Sequence, residues 1–139
     1  MTVKELEVDK APLVPGCVYV APGDCHMVVT KRGDRLYAAL HEAPPVNQHR
    51  PAVDIMFSSV AEVAGKRALG ILLTGMGQDG AAGLLDMRES GAVTVAQDQA
   101  SSVVWGMPRA AIERDAAEHI LPLKDVAGFM TEYVYEKTE

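Results

Sequence analysis

Aromatic side chains are scarce in this 139-residue chain, where Phe, Trp and Tyr together make up 5%. Aliphatic residues must therefore supply most of the core, within a composition, 48% hydrophobic and 23% charged, close to that of ordinary soluble globular proteins. Basic residues are also in deficit, with 13 Lys and Arg against 19 Asp and Glu, for a net charge of −6. That balance argues against the clustered positive charge by which proteins bind phosphate backbones, so no nucleic-acid partner is expected. The basic pair Lys31-Arg32 reads as a solvated hairpin tip. No apolar run approaches the ~20 residues that span a bilayer. The longest clean one is Ala68 to Leu73. The opening Met1-Thr2-Val3-Lys4-Glu5 lacks the apolar core of a signal peptide, and a cytoplasmic protein without membrane insertion is expected. Cys17 and Cys25 stand eight residues apart with no Cys-x-x-Cys pattern. They make neither a disulfide framework nor a zinc site, so reduced, partly buried thiols and no metal are expected.

No shift of composition divides the chain, so residues 1–139 read as one domain. Residues 1–16 are mixed and end in turn-forming Pro12 and Pro15-Gly16. Cys17–Val20 reads as a short strand. Met27–Thr30 and Arg35–Ala38 flank Lys31-Arg32-Gly33-Asp34, a hairpin signal in which Gly33 is free to take positive φ. Glu42 to Pro51, with three prolines, must be loop. From Ala52 the apolar period becomes helical through Val53, Met56, Phe57, Val60 and Val63 or Ala64, with Gly65 as the stop. Ala68–Leu73 then reads as a strand buried on both faces.

A helix is expected over 81–90, with Gly91 at its C′ position, and a second buried strand over Ala92–Ala96. Pro108 fits the first turn of a helix running to about Glu118. His119–Leu121 is a short strand candidate, and Asp125 can cap a last helix with apolar face Val126, Phe129, Met130 and Tyr133. Strand and helix alternating after residue 52 predict an α/β fold: a partial doubly wound, mostly parallel sheet, with the hairpin as a local antiparallel addition.

The most informative segment is Leu73-Thr74-Gly75-Met76-Gly77-Gln78-Asp79-Gly80-Ala81, just past a buried strand and opening a helix. In open α/β sheets, ligands and catalytic groups gather at such strand ends. One reading is a dinucleotide site, because Gly75-x-Gly77-x-x-Gly80 matches the fingerprint and Asp98 follows Gly80 by 18 residues. Against it, the Asp79 carboxylate would crowd a pyrophosphate; the loop is not a P-loop either, because no Gly-Lys-Ser/Thr follows. A second reading makes Asp79 functional, orienting a histidine and stabilising its imidazolium while loop amides face an oxyanion. A third makes Asp79 a cap of the helix beginning near Ala81.

Further stretches bear on that choice. Ala21–Met27 and Pro44-Pro45-Val46-Asn47-Gln48-His49-Arg50-Pro51-Ala52-Val53-Asp54 precede the loop; Ala96-Gln97, Ala100–Val104 and Gly106-Met107-Pro108-Arg109 follow it. With Thr74–Ala81, these resemble, in family order, the protein-glutamate methylesterases of bacterial chemotaxis, the CheB type. The likeness runs from about Val14 to Leu123. It implies a doubly wound α/β esterase that hydrolyses methyl esters of chemoreceptor glutamates, deamidates glutamines in many members, and needs no cofactor. By that resemblance Asp79 falls on the aspartate of a Ser-His-Asp triad, and the Met76 backbone amide on an oxyanion donor.

The departure is equally specific. The family's Gly-Ala-Ser-Thr-Gly-Gly turn and Gln-His-Met segment lie ahead of the region matched here, and neither occurs in this chain. Ser58, Ser59, Ser90, Ser101 and Ser102 lack nucleophile-elbow glycines. His26, His41, His49 and His119 read as surface or hydrogen-bonding residues. Nothing in residues 1–139 is expected to form the family's receiver domain. The chain is therefore expected to be the C-terminal portion of a methylesterase catalytic domain, inactive by itself. Early parallel strands would be missing from its sheet, leaving an edge closed by rearrangement, self-association or another polypeptide. Two alternatives stay open: a non-catalytic receptor-binding or regulatory module, and the dinucleotide-binding unit.

Overall fold

In the computed structural model, residues 1–138 are described, and their strands form three small sheets. β1 (Thr2–Glu5) pairs parallel with β3 (Cys17–Val20). β2 (Lys10–Pro12), β5 (Arg35–His41) and β4 (His26–Arg32) form an antiparallel sheet in the order β2-β5-β4. β6 (Leu69–Leu72), β7 (Val93–Gln97) and β8 (His119–Leu121) form a parallel sheet in sequence order. The helices are α1 (Val53–Val63), α2 (Ala81–Glu89), α3 (Met107–Glu113) and α4 (Leu123–Thr138), with a 3-10 turn over Gly65–Arg67 after α1. The expected α/β architecture is present, with its parallel strands divided between two sheets.

Several boundaries differ from the sequence reading, each for a local reason. β1 and β2 lie in the stretch expected to be irregular. All four β1 residues are exposed, so no burial alternation marks it, and the three-residue β2 sits on an edge, where Pro12 is tolerated. The hairpin strands run to the turn at Gly33-Asp34, which places Lys31 and Arg32 inside β4, both exposed. Gly33 has the positive φ expected of it, 62°. α3 stops at Glu113 because Asp115 takes a left-handed φ of 59° and the Ala116 amide folds back onto Ala111 O at 2.9 Å. α4 starts at Leu123, so Asp125 lies in its first turn instead of capping it. Val126 is buried in α4 and Phe129 and Tyr133 are half-buried, but Met130 faces outward. Tyr133 Oη donates to Ala68 O at 3.1 Å, tying α4 to the start of β6, and burial pushes the phenol above its ordinary range. Both cysteines are free and half-buried, as expected.

Two apolar clusters build the core. One joins Phe57, Leu72, Leu84, Met87 and Ala111; the other joins Leu6, Ala11, Met27 and Ala38 under the antiparallel sheet. Met56 packs against both, so α1 is the shared wall between the two layers. Where α1 crosses α2, Gly83 lets the backbones approach: a Cβ there would lie 2.6 Å from Phe57 Cβ and 3.1 Å from Asp54 O. Among the described residues, the outer edge of β6 has no partner strand.

The same substitution should change stability in opposite directions at two helical glycines. Gly83→Ala gains helix propensity but meets Phe57 and the α1 backbone, and overpacking of that kind costs about 1–3 kcal/mol. Gly128→Ala in α4 meets nothing within 4 Å and should stabilise by about 0.5–1 kcal/mol. Urea unfolding of the two variants measures both changes; a stabilised Gly83→Ala would contradict the close crossing.

Candidate active site

β6 runs out at Leu72, and the loop 73–80 carries the chain to α2 across the carboxyl end of the parallel sheet. Gln97, buried at the end of β7, holds this loop from the side. Its Oε1 accepts the Thr74 amide at 2.7 Å, while its Nε2 donates to Ser101 O and Oγ at 2.8 and 3.1 Å. Gly75 then docks on the next loop: its amide donates to Val104 O at 2.9 Å, and its carbonyl accepts from Gly106 and Met107 at 3.1 and 2.8 Å. Side chains are excluded here, since a Cβ on Gly106 would stand 2.8 Å from Gly75 O.

Asp79 is buried, 4% exposed, and its carboxylate points at α1, not at the helix that follows it. Oδ2 accepts the Val53 amide at 2.7 Å, and Oδ1 accepts the Asp54 amide and Asn47 Nδ2, each at 3.1 Å. Asp54 returns the contact, its Oδ1 accepting the Gly80 and Gly83 amides at 3.0 and 2.7 Å. Neither Ala52 nor Gly80, the residues in the N-cap positions, supplies a side-chain cap of its own. Each helix is capped by the aspartate of the other. Asn47 Nδ2 closes the pair, also donating to Asp54 Oδ2 at 2.7 Å. The reading of Asp79 as a cap of the helix near Ala81 is thus corrected: it caps α1, and Asp54 caps α2.

The N-terminus of α1 is pinned once more by His26, which is fully buried. The Ala52 amide donates to His26 Nδ1 at 3.1 Å, so Nδ1 carries no proton and Nε2–H donates to Pro44 O at 2.9 Å. His26 is a structural, hydrogen-bonding residue. His41 and His49 are exposed, and the His119 ring packs at a tilt against Phe129, with centroids 4.9 Å apart. Each serine considered as a nucleophile has its hydroxyl in a structural bond, such as Ser58 to Asp86 at 2.8 Å and Ser101 to Asp98 at 2.6 Å. Arg50 pairs with Asp24 at 2.7 Å, which fastens the proline-rich loop to the turn before β4; hydrogen bonding to that carboxylate raises the guanidinium pKa.

A carboxylate offers about four acceptor positions, and three around Asp79 are filled, two on Oδ1 and one on Oδ2. One lone pair of Oδ2 is left without a donor among the described residues. The Met76 amide finds no acceptor among the described residues. The Met76 side chain, 78% exposed, joins Leu73, Val103 and Val104 in an exposed apolar rim around the loop. Asn47, Asp54 and Gln97 build this site, although sequence reasoning assigned them no role. All three lie in the stretches that carried the family resemblance.

The same geometry bears on the dinucleotide alternative. A pyrophosphate at the N-terminus of α2 would need the Gly80 and Gly83 amides, and Asp54 already occupies them. Asp98 is likewise engaged, accepting the Ser101 amide and hydroxyl at 3.0 and 2.6 Å. Calorimetric titration with oxidised or reduced nicotinamide dinucleotide should therefore give no saturable heat. Micromolar binding abolished by Gly77→Val would restore the dinucleotide reading.

Comparison with known proteins identifies the family. Residues 1–130 match the sequence model of the CheB methylesterase family. Protein-glutamate methylesterase/protein-glutamine glutaminase 1 of Hahella chejuensis is 52% identical over 128 residues, covering 92% of this chain and 36% of that protein. A corresponding protein of Burkholderia thailandensis is 55% identical over 130 residues, 94% of this chain and 36% of its own. The crystal structure of the Thermotoga maritima CheB methylesterase catalytic domain superposes with a TM-score of 0.87 at 32% identity, over 91% of this chain and 67% of that one. The chain spans little more than a third of the length of these curated relatives. A family-wide sequence match, half-identical relatives and a shared fold converge on one assignment: the chain belongs to the CheB methylesterase family.

Proposed function

We propose that this chain supplies the carboxylate and an oxyanion donor of a protein-glutamate methylesterase site, and that the nucleophilic serine and the histidine come from a segment outside it. The observation that carries this reading is the state of Asp79: buried, held by three donors, and left with one acceptor position on Oδ2. An imidazole accepted there would be held in one tautomer, its other nitrogen free to take the serine proton. As the serine oxygen attacks the ester carbonyl, negative charge develops on the carbonyl oxygen, and the Met76 amide is the donor to it. Methanol leaves with the proton returned by the imidazolium, and water then releases the glutamate carboxylate. A glutamine side chain would follow the same course with ammonia as leaving group, matching the double name of the relatives.

The proposed substrate is a methylated chemoreceptor. The apolar rim of Leu73, Met76, Val103 and Val104 supports a protein surface there, either the receptor or the segment that brings the serine. The unpaired edge of β6 supports the second of these, because a further strand laid along it would extend the sheet whose end carries the Asp79 loop.

By itself the chain should release no methanol from methylated receptor beyond about a millionth of a full-length relative's turnover, the scale of losing a triad's serine or histidine. Adding the serine- and histidine-bearing segment of the Hahella chejuensis relative as a separate polypeptide should restore hydrolysis. Asp79→Asn should then lower turnover about ten thousand-fold while the two polypeptides still associate. The substitution also turns one capping oxygen into a donor facing an amide, at about 1–3 kcal/mol. Domains are stable by about 5–15 kcal/mol, so that loss leaves most molecules folded and does not account for four orders of magnitude. Equal turnover in the Asp79→Asn variant would leave Asp79 a helix cap only. Association without any hydrolysis would favour a non-catalytic binding module.

A further inference from the structure

Asp54 touches Asp79 on both sides. Its amide donates to Asp79 Oδ1 at 3.1 Å, and its Oδ1 accepts at 3.0 Å from Gly80, the next residue along the chain. The carboxylate of Asp79 and the peptide behind it are thus gripped by one residue. Asn47 adds a third hold, its single Nδ2 reaching Asp79 Oδ1 at 3.1 Å and Asp54 Oδ2 at 2.7 Å. Asn47 and Gln48 sit at φ of 54° and 67°, a left-handed pair that turns this amide inward, and a bridge between Val46 and His49 closes the turn around them. Stacked donors of this kind leave the carboxylate no freedom to rotate, because either oxygen would have to abandon an amide.

We infer that Asp54 and Asn47 are positioning residues, which fix the Asp79 carboxylate so that its vacant acceptor position is the one on Oδ2. Asp54 therefore does more than cap α2. The fixed geometry stands on the hydrogen bonds alone; its meaning for catalysis rests on the function proposed above. The chemistry in view is the acceptance of an imidazole N–H, which tolerates little error in direction.

Amide exchange read by nuclear magnetic resonance on the chain itself separates positioning from simple capping. In Asp54→Ala the Gly80 and Gly83 amides lose their acceptor and must exchange faster under either view. A cap alone leaves the amides at positions 53 and 54 at wild-type rates. Positioning predicts that these two, the donors to Asp79, also exchange at least tenfold faster, with the β4–β5 hairpin unchanged. Asn47→Gly, which keeps the left-handed backbone accessible and removes the bridging amide, should accelerate the same two amides even if Asp54→Ala does not fold. Unchanged exchange at Val53 and Asp54 in Asn47→Gly overturns the inference.

In the reassembled two-polypeptide enzyme, Asp54→Ala should lower kcat at least tenfold with KM within twofold, and Asp54→Asn, which keeps an oxygen for Gly80 and Gly83, should recover most of it. An unchanged kcat in Asp54→Ala also overturns the inference. Absence of hydrolysis with the unmodified chain would instead count against the proposed function and leave the exchange result standing.

Discussion

The exchange of caps between α1 and α2 is the interaction on which the rest of the fold depends. An α-helix begins with amides that have no partner of their own, and burying them unpaired is costly. Here the first amides of α1 go to His26 and Asp79, and those of α2 go to Asp54. Because each cap lies on another element, the two helices can reach low energy only together. They must also cross closely, and Gly83 provides the clearance at which Asp54 comes within reach of its amide. Local capping would have allowed each helix to form without regard to the other; reciprocal capping makes their packing a condition of satisfying both.

That condition explains why the glycine motif is so dense. Gly80, at φ 95°, turns the chain into α2 where a Cβ would strike Leu72 at 2.7 Å and Val53 at 3.1 Å. Gly75 is held in a backbone ladder with the 104–107 loop, and its own Cβ would collide with the Met107 sulfur. Gly77 has open space around it and is required only for its φ of 91°. Two of the three glycines thus serve packing around Asp79, and none is needed to admit a phosphate. The spacing Gly-x-Gly-x-x-Gly expresses a tight strand-to-helix turn, which several chemistries share.

Much of this was legible in the sequence, and the exceptions have physical causes. The βα alternation after Ala52 is written in apolar periodicity, and α1, β6, α2 and β7 appear within a residue or two of the expected bounds. β1 escaped because its stability comes from pairing with β3, leaving every one of its side chains exposed and no pattern to read. The division of the parallel strands between two sheets is a matter of long-range topology, which periodicity does not encode. At the site, Asp79 and Met76 stand out through the loop they share. Asn47 and Asp54 do not, because they meet Asp79 across 32 and 25 positions of sequence. A single chain carries no mark of such a contact, and capping preferences reflect only near neighbours in sequence, so the position of Asp79 before α2 points to a cap on the wrong helix.

The cap exchange also bears on why a buried aspartate could serve both structure and chemistry. A carboxylate free to rotate must be ordered each time it is used, and that ordering costs free energy at the moment of reaction. Asp79 is ordered by amides that the fold must satisfy in any case, and the positive ends of two helices face the pair of acidic residues. Rigidity at the site is then a by-product of helix formation, requiring no separate support. Positioning is thereby coupled to the α1–α2 contact through Asp54, which holds the Gly80 and Gly83 amides and donates its own amide to Asp79. The hairpin sheet is coupled less directly, through Met56 and the His26 contact with Ala52, which tie the antiparallel layer to the start of α1 and so to the amides that hold Asp79.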